Sequence, residues 1–432
     1  MTNLAILGKK RVQGDIRVPG DKSISHRSAI LGSIARGTTT VKGFLKGDDT
    51  LGTLIAFRKM GVEWRWEGES LIIRGHGLKG LSESEDVIDL GNSGTGIRLL
   101  TGLVSGFDQF TVLTGDESLR SRPMGRVVEP LRRMGARIDG RSGGKLAPLS
   151  IHGGNLKGLK YEMPVASAQL KSALLLAGLW AEGATELREP GPARDHTEIM
   201  LEGFGARVER EEGGWMRIRG GAGDDLVGRE ITVPGDISSA AFFLTAAIIT
   251  PGSEITIRRV GVNPRRTGAL DILREMGADI KLSERGSSAN EPYADITARH
   301  SRLKGITIEG DRVVRAIDEF PVLAVAAAYA EGRTVVRDAQ ELRVKESDRI
   351  AAMAFELDRM GASVEDLPNG MIINGGKPLK GTVVDSHGDH RVAMSLAIAA
   401  LGAEAETVIH DTECIATSFP GFEKLLEEAT AG

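Results

Sequence analysis

The residues best suited to chemistry in this 432-residue chain are cations and short polar side chains recurring where apolar segments begin. Six such starts stand out: Lys22, Ser23 and Arg27; Asn92, Ser93, Gly94, Thr95 and Arg98; Ser167, Gln169 and Lys171; Asp236, Ser238 and Ser239; Asp318 and Glu319; Asp389, His390 and Arg391. If each segment is a helix, its first turn offers unpaired N–H groups and about half a positive charge, so several such ends aimed at one cleft trap an anion. Three loops add further cations: "TGDESLRSRPMGR" with Arg120, Arg122 and Arg126, "LREPGPARDHTE" with Arg194, and "ELRVKESDRI" with Arg343, Lys345, Glu346 and Arg349. Written as a helix, the last stretch puts Lys345 and Arg349 on one face and lets Glu346 pair with Arg349. Each stretch alone also reads as a solvated charged face, and the serines and aspartates as ordinary caps; at the fourth start only capping is expected. Repeated placement in equivalent loops favours anion binding.

Other chemistries find little support. The 55 Lys+Arg against 59 Asp+Glu leave a formal charge of -4, so no global field holds nucleic acid or an anionic membrane. A single cysteine, Cys414, excludes an intramolecular disulfide and a Cys-cluster metal site, and fits a reducing, cytoplasmic location. The N-terminal apolar run is too short for a signal peptide, and "AAFFLTAAII" falls well short of the roughly 20 residues that span a bilayer, so a soluble protein is expected. "GRSGGKL" places Leu146 where a phosphate-binding P-loop needs Ser or Thr, and "GNSGTG" lacks the dinucleotide spacing. His387 and His390 in "DSHGDHR" adjoin Arg391 and have no helical histidine partner, so no metal is expected. No nucleophile elbow is present, and aromatic residues are too sparse for base stacking.

The elements that position these residues repeat. Glycine makes up 56 of the 432 residues, far above the usual share of about 7%, and much of the excess lies in regularly spaced turns. "FRKMGVEW", "LRRMGARI", "LEGFGARV", "LREMGADI" and "LDRMGASV" place Gly61, Gly135, Gly205, Gly277 and Gly361 at steps of 74, 70, 72 and 84 residues. Each phrase predicts the end of an amphipathic helix, a left-handed glycine, then a strand. Between them lie six Ala/Leu-rich helices without polar faces, expected to be buried, mostly followed by β-branched strands such as "TTTVKG" and "RTVVRDA". The reading is an α/β (α+β) chain of six αβαββ-like units in two similar domains: 21-234, and 1-20 plus 235-432. The phrase "VPGD" at both junctions predicts a two-stranded hinge crossing near 18-21 and 233-236, although it is also simply a good turn sequence. The sixth unit lacks its own closing strand, and "KRVQGDIRV" near the N-terminus is expected to supply it.

Together, "PGDKSISHR", "GNSGTGIRLL", "RPMGR", "RVKESDR" and "DHRVAMS", in this order over the whole chain, resemble the family of 5-enolpyruvylshikimate-3-phosphate synthases, or 3-phosphoshikimate 1-carboxyvinyltransferases. The resemblance implies two three-unit domains closing on substrate, no cofactor and no metal. It implies transfer of the enolpyruvyl group of phosphoenolpyruvate to the 5-hydroxyl of shikimate 3-phosphate, with release of phosphate, in aromatic amino acid biosynthesis. Carried over by motif, Lys22, Ser23, Arg27, Ser167, Ala168, Gln169, Arg194, Asp318 and Lys345 hold shikimate 3-phosphate. Lys22, Gly94, Arg122, Gln169, Glu346, Arg349 and Arg391 hold phosphoenolpyruvate. Asp318 and Glu346 are the implied acid–base pair, with Lys22 stabilising the departing phosphate; without the resemblance, Asp318 reads as a helix cap and Glu346 as a salt-bridge partner. The expected partners are these two small molecules, with no nucleic acid or membrane, and the expected state is a monomer.

Two positions depart from the commoner form of that family: Thr417 stands where a lysine precedes the closing Phe-Pro, and the serine pair is Ser167-Ala168. Both look like the family's second subgroup, in which reduced glyphosate sensitivity occurs, while Gly94 stays glycine. A sister enolpyruvyl transferase acting on UDP-N-acetylglucosamine is the nearest rival. Its usual mobile-loop cysteine would fall in "TGDESLRSRPMGR", which has none. A non-catalytic repeat scaffold would have little reason to keep Lys22 and Glu346.

Overall fold

The structure is a computed structural model and describes residues 2–431. It divides into two compact units. The first-half unit comprises Gly20–Val233 with Ser287–Glu291, and the second-half unit comprises Met1–Pro19, Pro234–Gly286 and Pro292–Gly432.

Six apolar helices form the interior of the units. Lys22–Ile34, Gly94–Ser105 and Ala168–Gly178 belong to the first, and Ile237–Ile249, Phe320–Tyr329 and His390–Leu401 to the second. Every residue of Ile237–Ile249 and of His390–Leu401 is buried, as the absence of a polar face requires. Each buried Leu, Ile or Phe contributes about 1.5–3 kcal/mol, so these helices anchor their units by apolar burial. Their starts carry side-chain caps: Asp21, Ser93, Ser167, Asp236 and Asp389 each accept a backbone N–H of the first turn. The fifth start, at Glu319, has no such bond.

Outer amphipathic helices end at the five repeating glycines, whose φ values of +84° (Gly61), +108° (Gly135), +113° (Gly205), +107° (Gly277) and +93° (Gly361) are left-handed, as the sequence requires. The chain then enters a hairpin. The strand after each of the first five buried helices pairs antiparallel with the second hairpin strand and parallel with a short edge strand, giving five four-stranded sheets; a three-stranded sixth, without a hairpin, completes the set among the described residues.

In four sheets that edge strand comes before the unit's own buried helix, in the fifth with the short helix Asp311–Arg315 between them; in two it is exchanged. Gln13–Ile16, which leads into the first buried helix, pairs parallel with Glu254–Ile257 in the fourth sheet. Glu230–Thr232, which leads into the fourth buried helix, pairs parallel with Thr40–Lys42 in the first. The two "VPGD" phrases follow these exchanged strands, and the chain passes from one unit to the other at Pro19/Gly20 and Val233/Pro234, with Ser287–Glu291 a further short excursion into the first-half unit.

The exchange corrects the expectation for "KRVQGDIRV". It does not complete the sixth sheet, because Val383–Asp385 already fills the parallel edge there. The sixth sheet instead needs an antiparallel partner, and Leu4–Ile6 supplies it along Thr407–Ile409. No helix of the described residues is long and apolar enough to cross a membrane.

Candidate active site

In the first-half unit the sequence-predicted residues gather at the starts of three buried helices. Lys22 opens the first helix, with its Nζ 3.1 Å from Asp49 Oδ2. One turn on, Arg27 is buried, and each nitrogen of its guanidinium makes a hydrogen bond: Nε donates to Thr197 Oγ1 at 2.6 Å, Nη1 to the Ser23 carbonyl at 2.9 Å and Nη2 to Ser172 Oγ at 2.8 Å. Burial pulls its pKa down to about 10, opposed by the charges of Glu198, Asp21 and Glu291 and assisted by Arg194. Thr197 lies in the helix that follows the Arg194 loop, so Arg27 ties that loop to the first and third helices.

Ser167 caps the third helix through Leu170 N, and Ala168 and Gln169 form its first turn. Gln169 Nε2 donates to Thr95 Oγ1 at 3.1 Å, while its Oε1 accepts from Arg98 Nη1 at 3.0 Å, which joins the third start to the second. Arg122, buried, donates to the carbonyl of Asn92 at 3.3 Å, to its side-chain oxygen, and to Ser118 Oγ at 3.0 Å. Gly94 sits against both arginines: a Cβ there would lie 2.9 Å from Arg98 Nη1 and 3.3 Å from Arg122 Nη1.

Beneath this surface, Lys171 is wholly buried, with Nζ 2.8 Å from Glu189 and 2.8 Å from Glu198 and a further bond to the Ala193 carbonyl at 3.4 Å. It fixes the loop that carries Arg194. His26 and the buried pair of His196 and Glu291, at 2.7 Å, complete the support. Burial first, then Lys22 and Arg27, hold the His26 pKa well below its ordinary value, so the ring is neutral and hydrogen-bonds Thr53 Oγ1 at 2.8 Å.

The second-half unit brings together Asp318, Lys345, Glu346, Arg349 and Arg391. Arg349 is the centre of the group, only 1% exposed. Its Nε donates to Asp389 Oδ2 at 2.8 Å and its Nη2 to Glu346 Oε2 at 2.6 Å, while Nη1 stands 3.6 Å from Asp318 Oδ1 without a hydrogen-bond partner. Burial opposes the charge of Arg349, yet Asp389, Glu346 and Asp318 together raise its pKa. Asp389 is desolvated as well, but Arg349 above all holds its pKa below the ordinary carboxylate value. Lys345 Nζ donates to Asp318 Oδ1 at 3.3 Å, and Arg391 Nη1 to the Asp318 carbonyl at 3.1 Å.

The local structure of "RVKESDR" differs from the expected helix. Asp348 caps a helix that begins only at Arg349, accepting from Ala351 N at 3.0 Å, so Lys345 and Glu346 lie in the preceding turn after a 3-10 segment, Gln340–Val344. The cap wins because its side-chain acceptor satisfies an N–H that a longer helix would bond internally. The expected Glu346–Arg349 pair forms nevertheless.

Sequence reasoning missed the partners that orient these groups: Asp49, Ser172, Thr197, Glu198 and Glu291 in one unit, Arg266 in the other. Arg266, 2% exposed, binds Asp236 at 3.2 Å and Glu319 at 3.0 Å, tying the fourth helix start to the fifth. Only the burial of Glu319 and Asp236 at adjacent starts could have signalled it. Thr417 ends a 3-10 segment, Thr412–Thr417, in the second-half unit. Burial pushes the Cys414 thiol in that segment up to about 11, so little of it is thiolate near neutral pH. Among the described residues no group of three or more His, Cys, Asp or Glu is placed to hold a metal ion.

The fold is shared with the enolpyruvyl transferase NikO from Streptomyces tendae, which is 20% identical and matches 99% of this chain and 97% of its own with a TM-score of 0.78, a likeness of fold alone. The family model described as EPSP synthase (3-phosphoshikimate 1-carboxyvinyltransferase) matches residues 6–426. A 3-phosphoshikimate 1-carboxyvinyltransferase of Citrifermentans bemidjiense is 59% identical over 427 residues, 99% of each chain. An EPSP synthase structure from Acinetobacter baumannii, 48% identical, covers 100% of this chain and 98% of its own at a TM-score of 0.89. The chain belongs to the EPSP synthase family.

Proposed function

We propose that this protein transfers the enolpyruvyl group of phosphoenolpyruvate to the 5-hydroxyl of shikimate 3-phosphate and releases phosphate, within aromatic amino acid biosynthesis. The observation that carries the reading is the buried Arg349 binding Glu346 beside Asp318 and Lys345, in a chain 59% identical over its length to a 3-phosphoshikimate 1-carboxyvinyltransferase.

On this reading Lys22, Ser23, Arg27, Ser167, Ala168, Gln169 and Arg194 bind shikimate 3-phosphate, with Ser167 and Arg194 serving its phosphate. Asp318 and Lys345 meet its hydroxyl side. Lys22, Gly94, Arg122, Gln169, Glu346, Arg349 and Arg391 bind phosphoenolpyruvate, arginine being suited to it because a planar fork engages two oxygens at once.

The chemistry is addition followed by elimination. Asp318 takes the proton of the 5-hydroxyl as its oxygen attacks C2, and Glu346 delivers a proton to C3. In the second step Glu346 recovers a proton from C3, the C2–O bond to phosphate breaks, and Lys22 stabilises the departing charge. Arg349 serves both carboxylates: it fixes Glu346 by a hydrogen bond and leaves Nη1, near Asp318, for an anionic substrate oxygen. No step requires a metal or cofactor. The protein is further proposed to act as a cytoplasmic monomer; light scattering of the purified protein tests the stoichiometry.

The deciding experiment is phosphate release from phosphoenolpyruvate with shikimate 3-phosphate, beside UDP-N-acetylglucosamine. Release with the first alone is expected. Release only with the nucleotide sugar, or with neither, overturns the proposal.

A further inference from the structure

Two turns beyond Arg349 on the same helix, Arg349–Arg359, lies a second buried charged group that the reaction above does not use. Glu356 is fully buried, and both its oxygens are engaged: Oε1 with His387 Nε2 at 2.9 Å and Oε2 with Arg359 Nη1 at 3.2 Å. Arg349 and Glu356 are seven residues apart and so project from one helix face. Both reach the same turn, Ser386–Asp389, Arg349 through Asp389 and Glu356 through His387.

That turn is conformationally demanding. His387 and Gly388 are successive left-handed residues, at φ +54° and +67°. Glycine adopts that region freely and histidine at some cost, so contacts that hold His387 there matter to the turn. Local bonds contribute: His387 N to Asp385 Oδ1 at 2.6 Å, Gly388 N to Ser386 Oγ at 3.0 Å and Asp389 N to the Ser386 carbonyl at 3.0 Å. The side chain is fixed by Glu356 on one edge and by the exposed Phe355 ring at 6.5 Å, meeting it edge-on. The next residue but one is Asp389, which caps the sixth buried helix through Arg391 N and accepts from Arg349 Nε and Ser347 Oγ.

We infer that the Glu356–His387 pair is a positioning device for the phosphoenolpyruvate side of the site. It clamps the Ser386–Asp389 turn to the Arg349 helix, so that Asp389 orients Arg349 and, through it, Glu346, and so that Arg391 leaves the helix start in register. His387 and Glu356 touch no substrate on this account and act only through Asp389, Arg349 and Arg391. The inference rests on the transfer reaction proposed above.

The test is the variant His387→Asn. Asparagine tolerates the left-handed backbone, so the turn persists, but its side chain is too short to reach Glu356. In the phosphate-release assay KM for phosphoenolpyruvate is expected to rise about fivefold, with kcat lowered, while KM for shikimate 3-phosphate, whose phosphate-binding residues lie in the first-half unit, stays within about twofold. The isosteric Glu356→Gln, which removes the charge with little change of volume, should weaken the same parameter. The double variant should be no worse than the weaker single one, because the two act as a pair. A KM for phosphoenolpyruvate unchanged in His387→Asn, both KM values rising in parallel, or effects that multiply in the double variant overturn the inference. If the unsubstituted protein releases no phosphate, it is the reaction, and not the clamp, that fails.

Discussion

Replacing Arg349 by lysine keeps the charge and removes only the shape, which makes it the sharpest probe of how the second-half unit works. The guanidinium reaches three carboxylates from one buried position: Asp389 at 2.8 Å through Nε, Glu346 at 2.6 Å through Nη2 and Asp318 at 3.6 Å through Nη1. An ammonium is a compact point at the end of a flexible stem and cannot span them. Seated at Asp389, the carboxylate buried deepest, it releases Glu346. A hydrogen bond to a charged group contributes about 1.5–3 kcal/mol, and at 1% exposure solvent screens little of it. If Glu346 is the group that moves the C3 proton, that loss appears in the transition state. kcat/KM for phosphoenolpyruvate should then fall about 10- to 150-fold. Steady-state phosphate release at saturating shikimate 3-phosphate measures it, with urea unfolding on the same preparation to confirm that the variant is folded. A folded Arg349→Lys protein with kcat/KM within about threefold of the unsubstituted enzyme would show that the fork geometry is irrelevant, and the assignment of Glu346 would go with it.

Lys171→Met withdraws the buried charge from between Glu189 and Glu198, and should cost about 3–5 kcal/mol in urea unfolding; an unchanged midpoint would mean that the Arg194 loop is held by other means. Gly94→Ala places a methyl within 2.9 Å of Arg98 Nη1 and 3.3 Å of Arg122 Nη1, so KM for phosphoenolpyruvate should rise, with KM for shikimate 3-phosphate unaffected. The expected rise is roughly tenfold, and equal changes in both constants would refute the contact argument. For His26 the folded pKa lies below the unfolded value of 6.5, so below that pH the unfolded chain binds a proton that the folded one refuses. Stability should therefore fall by up to about 1.4 kcal/mol per pH unit on acidifying below 6.5, and His26→Gln should flatten that slope in unfolding curves taken between pH 7.5 and 5.5. Identical slopes would show that another group titrates there.

Much of the architecture is legible locally. The five Met/Phe-Gly phrases mark helix ends because only a residue free of Cβ strain readily takes the left-handed position, and the φ values of Gly61 to Gly361 are all left-handed. The buried helices follow from segments such as "DISSAAFFLTAAI", which offer water no polar face. The arginines and carboxylates at their starts are visible as residue types, and only the family motifs mark Asp318, otherwise read as a cap, and Glu346, otherwise read as a salt-bridge partner, as candidates for catalysis. The local form of "RVKESDR" was not legible: a helix running through Lys345 and one starting at Arg349 both suit the residues, and the Asp348 side chain, capping the second, decides between them.

What the chain by itself determined is therefore short-range: where helices stop, which helices avoid water, which positions cap them, and which side chains carry charge. Only the tertiary structure decided which strand pairs with which. Gln13–Ile16 joins the fourth sheet and Leu4–Ile6 the sixth, although each is a short edge strand whose own residues suit several partners. The same holds for the partners of Arg27 and Lys171, which come from Ser172, Thr197, Glu189 and Glu198. The physical reason is common to both cases. A left-handed glycine or a cap is satisfied within a few residues of itself, whereas backbone edges and buried charges are satisfied by whatever the completed fold brings within about 3 Å, and that choice belongs to the whole molecule.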